Sequence, residues 1–572
     1  MQTFSRQAGA GVVYADLPAV VRQLLATRGV TDQATAQRYF QPSVADLAAP
    51  GLMLGLDKAV ARLQQALAQQ ELIYILGDYD ADGICGTVLL AEGLADCQGH
   101  VATYTPDRFT EGYGISMQAI EAAKAAGARV FISVDCGTKN HAEIAAANQA
   151  GIDVIVCDHH LPEATLPEAY AILNPKQAGD AFPNKDLCGC GVAFTLWHGL
   201  ALGLGLPSEK IEAALDLVAI ATCADAVPLL GQNRTLVALG LEQIREGRLR
   251  PGMAALLESA NLHPEQTSFP LDAHRVVYSL APRLNAAGRM AHGSLSVNLL
   301  RAKDAKEAEK LAEELEALNN KRRDLDQLLT AEALEMIRTT EGGETAPATV
   351  LVNPNWSLGV LGITASRLLE HYPRPTIVLT EHEGHYTGSA RSGPGFDVYT
   401  ALEACADLLV RFGGHSFAAG LTLKKEDLGL FMVRFSQLAY EARNGSKPEP
   451  PARTLSEATL EFKQITPELC RWTEAMSPYG PGNPRPLFKA NGLMLLEDSR
   501  VLYHKVTKQP NHLMLMLADK DGYVMEAAGW GMAKLWDRVS AKPELAMTFH
   551  LELYRNRDGG VLPRLVIRHL EV

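Results

Sequence analysis

The segment Leu72-Ile73-Tyr74-Ile75-Leu76, followed by Gly77-Asp78-Tyr79-Asp80-Ala81-Asp82-Gly83, constrains this chain more than any other. The apolar run is long enough for a buried strand and too short for a helix, so three carboxylates stand where a strand leaves its sheet for a Gly-bounded loop. If the backbone stays extended, Asp80 and Asp82 point the same way. Like charges crowded at a strand end raise one another's pKa unless a cation neutralises them. A divalent metal site is the leading reading.

The pattern recurs. Val130–Val134 runs into Asp135, and Ile152–Cys157 runs into Asp158-His159-His160. The apolar run Leu217–Thr222 leads toward Asp225, and it too is read as delivering its acid from a strand end. Helical stretches are expected between them, at Thr87–Leu94, Ser116–Ala126 and His141–Ala150. Strand alternating with helix predicts a parallel α/β sheet, which binds ligands outside the carboxyl ends of its strands.

At 572 residues the chain exceeds one core, so several domains are expected. Residues 1–50 read as a helical lead-in and 51–300 as the parallel-sheet domain. From Asp304 to Thr339 a helical pattern with no Gly or Pro would span about 50 Å, suited to bridging two domains. A second α/β region covers 341–443, and Asn444–Pro451 reads as a linker. Residues 455–572 alternate apolar and polar positions between turn signals, which suggests a small β-barrel.

A net charge of −13 is unusual for a protein that holds a polyanion. The excess is local: residues 451–572 carry 16 basic against 14 acidic groups, and a bound cation pair would offset part of the rest. Nine cysteines at irregular spacing argue for free thiols and against a zinc site. No run of about 18 uncharged apolar residues and no signal-peptide pattern is visible, so no membrane partner and a cytoplasmic location are expected.

Hydrolysis of a phosphoester by two cations needs oxygen and imidazole ligands, one of them bridging. Asp80, Asp82, Asp135, His159 and Asp225 offer that inventory, and the donor mix suits Mn²⁺ or Mg²⁺. The bland alternative is that each Asp merely caps the helix that follows. It serves for any one of them and poorly for all. Asp158 reads as a group that orients an imidazole, His160 as a contact to phosphate or a helix start, and Asp78 as a further ligand or a turn residue, with the turn slightly favoured.

The segments GDYDADG, VDCG, VIVCDHHLP and CADAVPL resemble, in order and spacing, the signature motifs of the DHH phosphoesterase superfamily. Pro282–Arg289, GSARS, GGHSFAAG and Pro478–Pro484 are similar to its RecJ family of single-strand-specific 5′→3′ exonucleases, and the likeness covers nearly the whole chain. It implies a DHH domain, a connecting helix, a DHH-associated domain and an OB-fold. By position it implies a pair of Mn²⁺ or Mg²⁺ ions on Asp80, Asp82, Asp135, His159 and Asp225, with Asp135 bridging and His160 close by. It also implies a 5′-phosphate grip of Arg108, Arg283, Ser389 and Arg391, with His415 near the strand. One departure is Ser357, where the family usually has His.

The expected function is therefore two-metal degradation of single-stranded DNA from its 5′ end, in DNA repair and recombination. A monomer is expected, fed by a helicase and a single-strand-binding protein. Arg471, Trp472, Tyr503, His504 and Lys505 are barrel candidates for the trailing strand. The alternatives are a DHH phosphodiesterase of short oligonucleotides or cyclic dinucleotides, and a DNA-binding scaffold without catalysis.

Overall fold

The computed structural model describes residues 12–265, 271–445, 456–504, 507–555 and 560–571. The linker expected at Asn444–Pro451 lies largely outside them, as does Lys505.

The first lobe is built on five parallel strands: β1 (Leu72–Gly77), β2 (His100–Tyr104), β3 (Val130–Val134), β4 (Asp153–Cys157) and β5 (Ala171–Leu173), in the order β2-β1-β3-β4-β5. All of β3 and most of β1 and β4 are buried, as continuous apolar runs covered on both faces should be. Helix α1 (Ala81–Asp96) follows β1, and between residues 189 and 301 the described elements are all helices, including α2 (Gly189–Gly203), α3 (Leu215–Ala224) and α4 (Ala281–Met290).

Two expectations are corrected here. The run Leu217–Thr222 lies in helix α3, and Asp225 is that helix's C-cap. An apolar run looks the same in a buried helix as in a buried strand, and every residue from Leu215 to Cys223 is buried. The backbone after Asp80 does not stay extended either: Asp80 caps α1, and Asp82 stands in its first turn.

Helix α5 (Ala305–Thr339) joins the two lobes. Its Ala308, Ala312 and Leu315 complete the first lobe's core, while Leu329, Ala333 and Ile337 pack with Trp356, Val360, Leu361 and Leu368 of the second. The second lobe is a mixed sheet, β6-β7-β8-β10-β9, made of β6 (Thr349–Val352), β7 (Thr376–His382), β8 (His385–Arg391), β9 (Arg411–Gly414) and β10 (Ala418–Leu423). Helix α6 (Leu361–His371) lies against β7 and β8.

The C-terminal strands close a barrel: β11 (Phe488–Leu495) pairs with both β13 (Leu545–Arg555) and β12 (Pro510–Ala518), the latter through Met494↔Ala518 and Leu495↔Leu517. The N-terminal helices belong to this unit. Val21, Leu24 and Leu25 share its core with Phe488, Leu513 and Phe549, and Arg28 pairs with Glu457 at 2.6 Å. Arg234 ties the unit to the first lobe, donating to the carbonyls of Tyr39 (2.6 Å) and Ser477 (2.9 Å) with its guanidinium over the Tyr39 ring. Among the described residues no helix is long and apolar enough to cross a membrane.

Candidate metal centre and phosphate cradle

The carboxyl ends of β1, β3 and β4 meet the C-terminus of α3 at one cleft. Three overlapping groups of donors converge there, each with its atoms within 4.8 Å of one another: Asp82, His159 and Asp225; Asp135, His159 and His160; Asp78, Asp80 and Asp135. Asp135 belongs to two of them. His159 Nε2 lies 3.1 Å from Asp135 Oδ1 and 3.9 Å from Asp82 Oδ2, and its Nδ1 lies 3.8 Å from Asp225 Oδ2.

The backbone holds these groups firmly. Asp135 adopts a left-handed φ of +63°, rare for a residue with a Cβ and kept where surrounding structure enforces it. Its N–H donates to Cys157 O at 2.9 Å, and Gly189 packs so closely that an added Cβ would lie 2.6 Å from the Asp135 Cβ. Asp82 accepts from the backbone N–H groups of Gly189 (2.6 Å) and Cys190 (2.7 Å), so the start of α2 orients its carboxylate. Asp80 accepts from its own helix at Asp82 N (2.9 Å), which makes it both a cap and a member of the cluster.

Asp158 is placed differently. It accepts from Thr138 N (2.9 Å), His159 N (2.7 Å) and His160 Nδ1 (2.8 Å), so it aims the His160 ring. Burial alone would raise its pKa, but the hydrogen bonds from His160 and Thr138 outweigh it and hold it ionised. The cluster behaves in the opposite way. Burial, then Asp82 and Asp80, pushes the Asp135 pKa far up. Asp225 rises to about 9 and Asp82 to about 6, in each case through burial first and neighbouring carboxylates second. Burial lowers His159 to about 3, which keeps its nitrogens neutral and able to ligate.

These residues fit a cation pair. Asp78 Oδ1, Asp135 Oδ1, His159 Nδ1 and Asp225 Oδ2 are buried without a hydrogen bond of acceptable geometry. Such orphaned acceptors are costly unless something positive meets them. Oxygen donors with imidazole match hard divalent ions. Asp78, for which the sequence slightly favours a turn over a ligand, is 4% exposed and sits inside the cluster.

Beside the centre is a crowd of arginines. Arg108 lies over the Tyr79 ring at 4.0 Å, and its Nε is another buried orphan. Arg289 has its pKa lowered to about 9 by burial, then by Arg108, with Arg322 and Arg391 adding to the effect and Asp80 opposing it. Ser389 and Arg391 face the start of α6: a Cβ on Gly362 would lie 2.8 Å from Arg391 Nη2 and 3.2 Å from Ser389 Oγ. Arg283 is engaged elsewhere, paired with Glu316 at 2.6 Å and donating to Ser279 O at 2.7 Å. Arg289, further along α4, is the arginine of that motif that lies beside Arg108 and Arg391. The motif Pro282–Arg289 carried both arginines, and only the fold separates them. Lys176 is a further basic group that sequence reasoning missed, close enough to oppose the shift of Asp225.

His415 reaches the centre from the second lobe, its ring 5.7 Å from that of His160 and 13° from parallel. On the barrel, Trp472 is partly buried, packed against the barrel core with its ring 5.3 Å from that of Phe40. Arg471 and His504 are exposed and Tyr503 is 60% exposed. Trp530, which sequence reasoning also missed, is exposed beside His512 at 5.0 Å and Arg564 at 5.9 Å.

Comparison with known proteins agrees with this architecture. The chain matches the DHH family N-terminal domain at residues 72–222, the DHHA1 domain at 345–441 and the RecJ OB domain at 456–562. It is 36% identical to the single-stranded-DNA-specific exonuclease RecJ of Bacillus subtilis, over 97% of this chain and 68% of that one. The crystal structure of RecJ with Mn²⁺ from Thermus thermophilus superposes with a TM-score of 0.80 at 30% identity, covering 99% of this chain and 78% of that one. The Mg²⁺ complex of the same protein gives 0.75 at 28% identity, over 99% and 76%. Fold and site together define a phosphoesterase of the DHH superfamily. Within it, the chain belongs to the RecJ family.

Proposed function

We propose that this chain is a metal-dependent exonuclease that degrades single-stranded DNA from its 5′ end, using two Mn²⁺ or Mg²⁺ ions. The observation that carries this reading is the overlap of donor groups at Asp135, with four buried acceptors turned into one cleft. In this reading Asp82, His159, Asp225 and Asp135 hold one ion, and Asp80, Asp78 and Asp135 the other. When bound, the ions supply Lewis acidity at the scissile phosphate and neutralise its charge.

The chain's own groups do the positioning. Asp158 accepts from His160 Nδ1–H and so fixes the ring, whose Nε2 lies 3.3 Å from the Tyr113 hydroxyl. Arg289, Arg391, Arg108 and Ser389 grip the terminal phosphate at the start of α6, where planar guanidinium groups and helix N–H groups suit a dianion. That grip beside the metal centre accounts for a 5′ start. The barrel steadies the trailing strand by stacking and charge.

Its partners are then a helicase and a single-strand-binding protein that deliver the strand to a monomer. Nine free cysteines support a reducing, cytoplasmic setting. In vivo the activity serves DNA repair and recombination. The test is digestion of 5′- and 3′-labelled single strands and duplexes with Mn²⁺. Release of the 5′ label from single strands alone is expected, and activity that persists in Asp135→Ala overturns the metal assignment.

A further inference from the structure

Strands β9 and β10 are joined by the two-residue turn Ser416-Phe417, closed by His415 N–H to Ala418 O at 2.8 Å. Phe417 is 77% exposed, more than any other large apolar side chain among the described residues. A lone exposed aromatic is ordinary on a protein surface, so exposure alone says nothing. Its placement is what matters. On one side His415 stacks on His160 of the metal centre. On the other, Ala418 pairs in register with Arg391, and Ser392 N–H donates to Phe417 O at 3.0 Å. Val398 N–H donates to Ser416 O at 3.0 Å, so the tip is anchored from two directions. The ring therefore stands on a backbone fixed between the imidazole stack and the arginine cradle.

We propose that Phe417 is a positioning residue for the substrate, a platform on which a base near the 5′ end of the strand stacks. The proposal rests on the nuclease reading above. A strand whose 5′ phosphate sits in the cradle and whose scissile phosphate sits at the metal centre must carry its first bases past this turn. A phenyl face accepts any base, so the contact adds grip without sequence preference. The ring shares its hairpin with His415, and that hairpin pairs through Ala418 with Arg391 on β8.

The experiment compares wild type, Phe417→Ala and Phe417→Trp on 5′-phosphorylated single strands that carry one abasic residue walked through the first positions. For wild type, an abasic residue at one of these positions is expected to raise KM about tenfold, the scale of a lost base stack. Phe417→Ala is expected to show that raised KM on intact strands and to be indifferent to the abasic position, with kcat little changed. Phe417→Trp restores both the low KM and the positional dip, which a merely structural role would not produce. A Phe417→Ala enzyme with the wild-type KM and the wild-type abasic profile overturns the stacking role alone. A wild type that cleaves no single strand overturns the nuclease reading and this role with it.

Discussion

The rings of His160 and His415 lie 5.7 Å apart and 13° from parallel, and they come from opposite lobes. His160 follows β4 of the first lobe, and His415 follows β9 of the second. Besides joining the lobes through α5, the chain thus closes them directly over the metal centre. His415→Ala should lower kcat/KM by about 10²-fold, the scale of a small misplacement of reacting groups. Thermal stability should barely change, because the removed ring is exposed. Steady-state kinetics beside a melting curve check both halves, and unchanged kinetics would make the stack incidental.

The carboxylate cluster makes metal-free stability fall as pH rises. Unfolded carboxyl groups lose their protons near about pH 4, whereas in the folded chain Asp82 keeps its proton to about 6 and Asp225 to about 9. Across that window the folded state binds more protons, so stability is full at the acidic end and is lost through the folded-state values. Bound Mn²⁺ favours the ionised forms, so its stabilising effect should grow toward alkaline pH. Melting curves with EDTA and with Mn²⁺ between about pH 5 and 9 test this. A metal-free melting temperature that is flat over the range would contradict it.

The two arginines of α4 should separate cleanly. Arg289→Ala is expected to cut the preference for a 5′-phosphorylated over a 5′-hydroxyl strand by about 10- to 100-fold, the scale of lost hydrogen bonds to a charged group. Arg283→Ala should leave that preference intact and lower the melting temperature, since it strands Glu316. Parallel kinetics on the two substrates decide, and a swapped result would return the grip to Arg283.

Gly189 carries a test of the site that changes no proposed ligand. Gly189→Ala would drive a methyl group to 2.6 Å from the Asp135 Cβ and 2.7 Å from its Cα. The displacement should weaken Mn²⁺ binding by about 10- to 100-fold, the scale seen when groups that support metal ligands are altered. Calorimetric titration with Mn²⁺ measures it.

What the sequence made legible follows from physical range. β1, β3 and β4 were readable because strands buried on both faces leave unbroken apolar runs, and each delivers its Asp or His at the end. β2 was not: His100-Val101-Ala102-Thr103-Tyr104 is a half-exposed edge strand with no such run. α3 imitated a strand because a fully buried helix also loses its polar face. Asp78 was ambiguous because turn residue and buried acid look alike in a Gly-Asp-Tyr-Asp string. The choice between Arg283 and Arg289, and the docking of Val21 and Leu24 onto a barrel more than 400 residues later, depend on contacts that no local pattern encodes.

The central claim is that one cleft holds two cations about Asp135. Anomalous diffraction at the Mn edge, from crystals grown with Mn²⁺, tests it most directly. Two peaks about 4 Å apart are expected, one against Asp82, His159 and Asp225 and the other against Asp78 and Asp80, with Asp135 between them. A single peak, or peaks away from Asp135, would contradict the paired site.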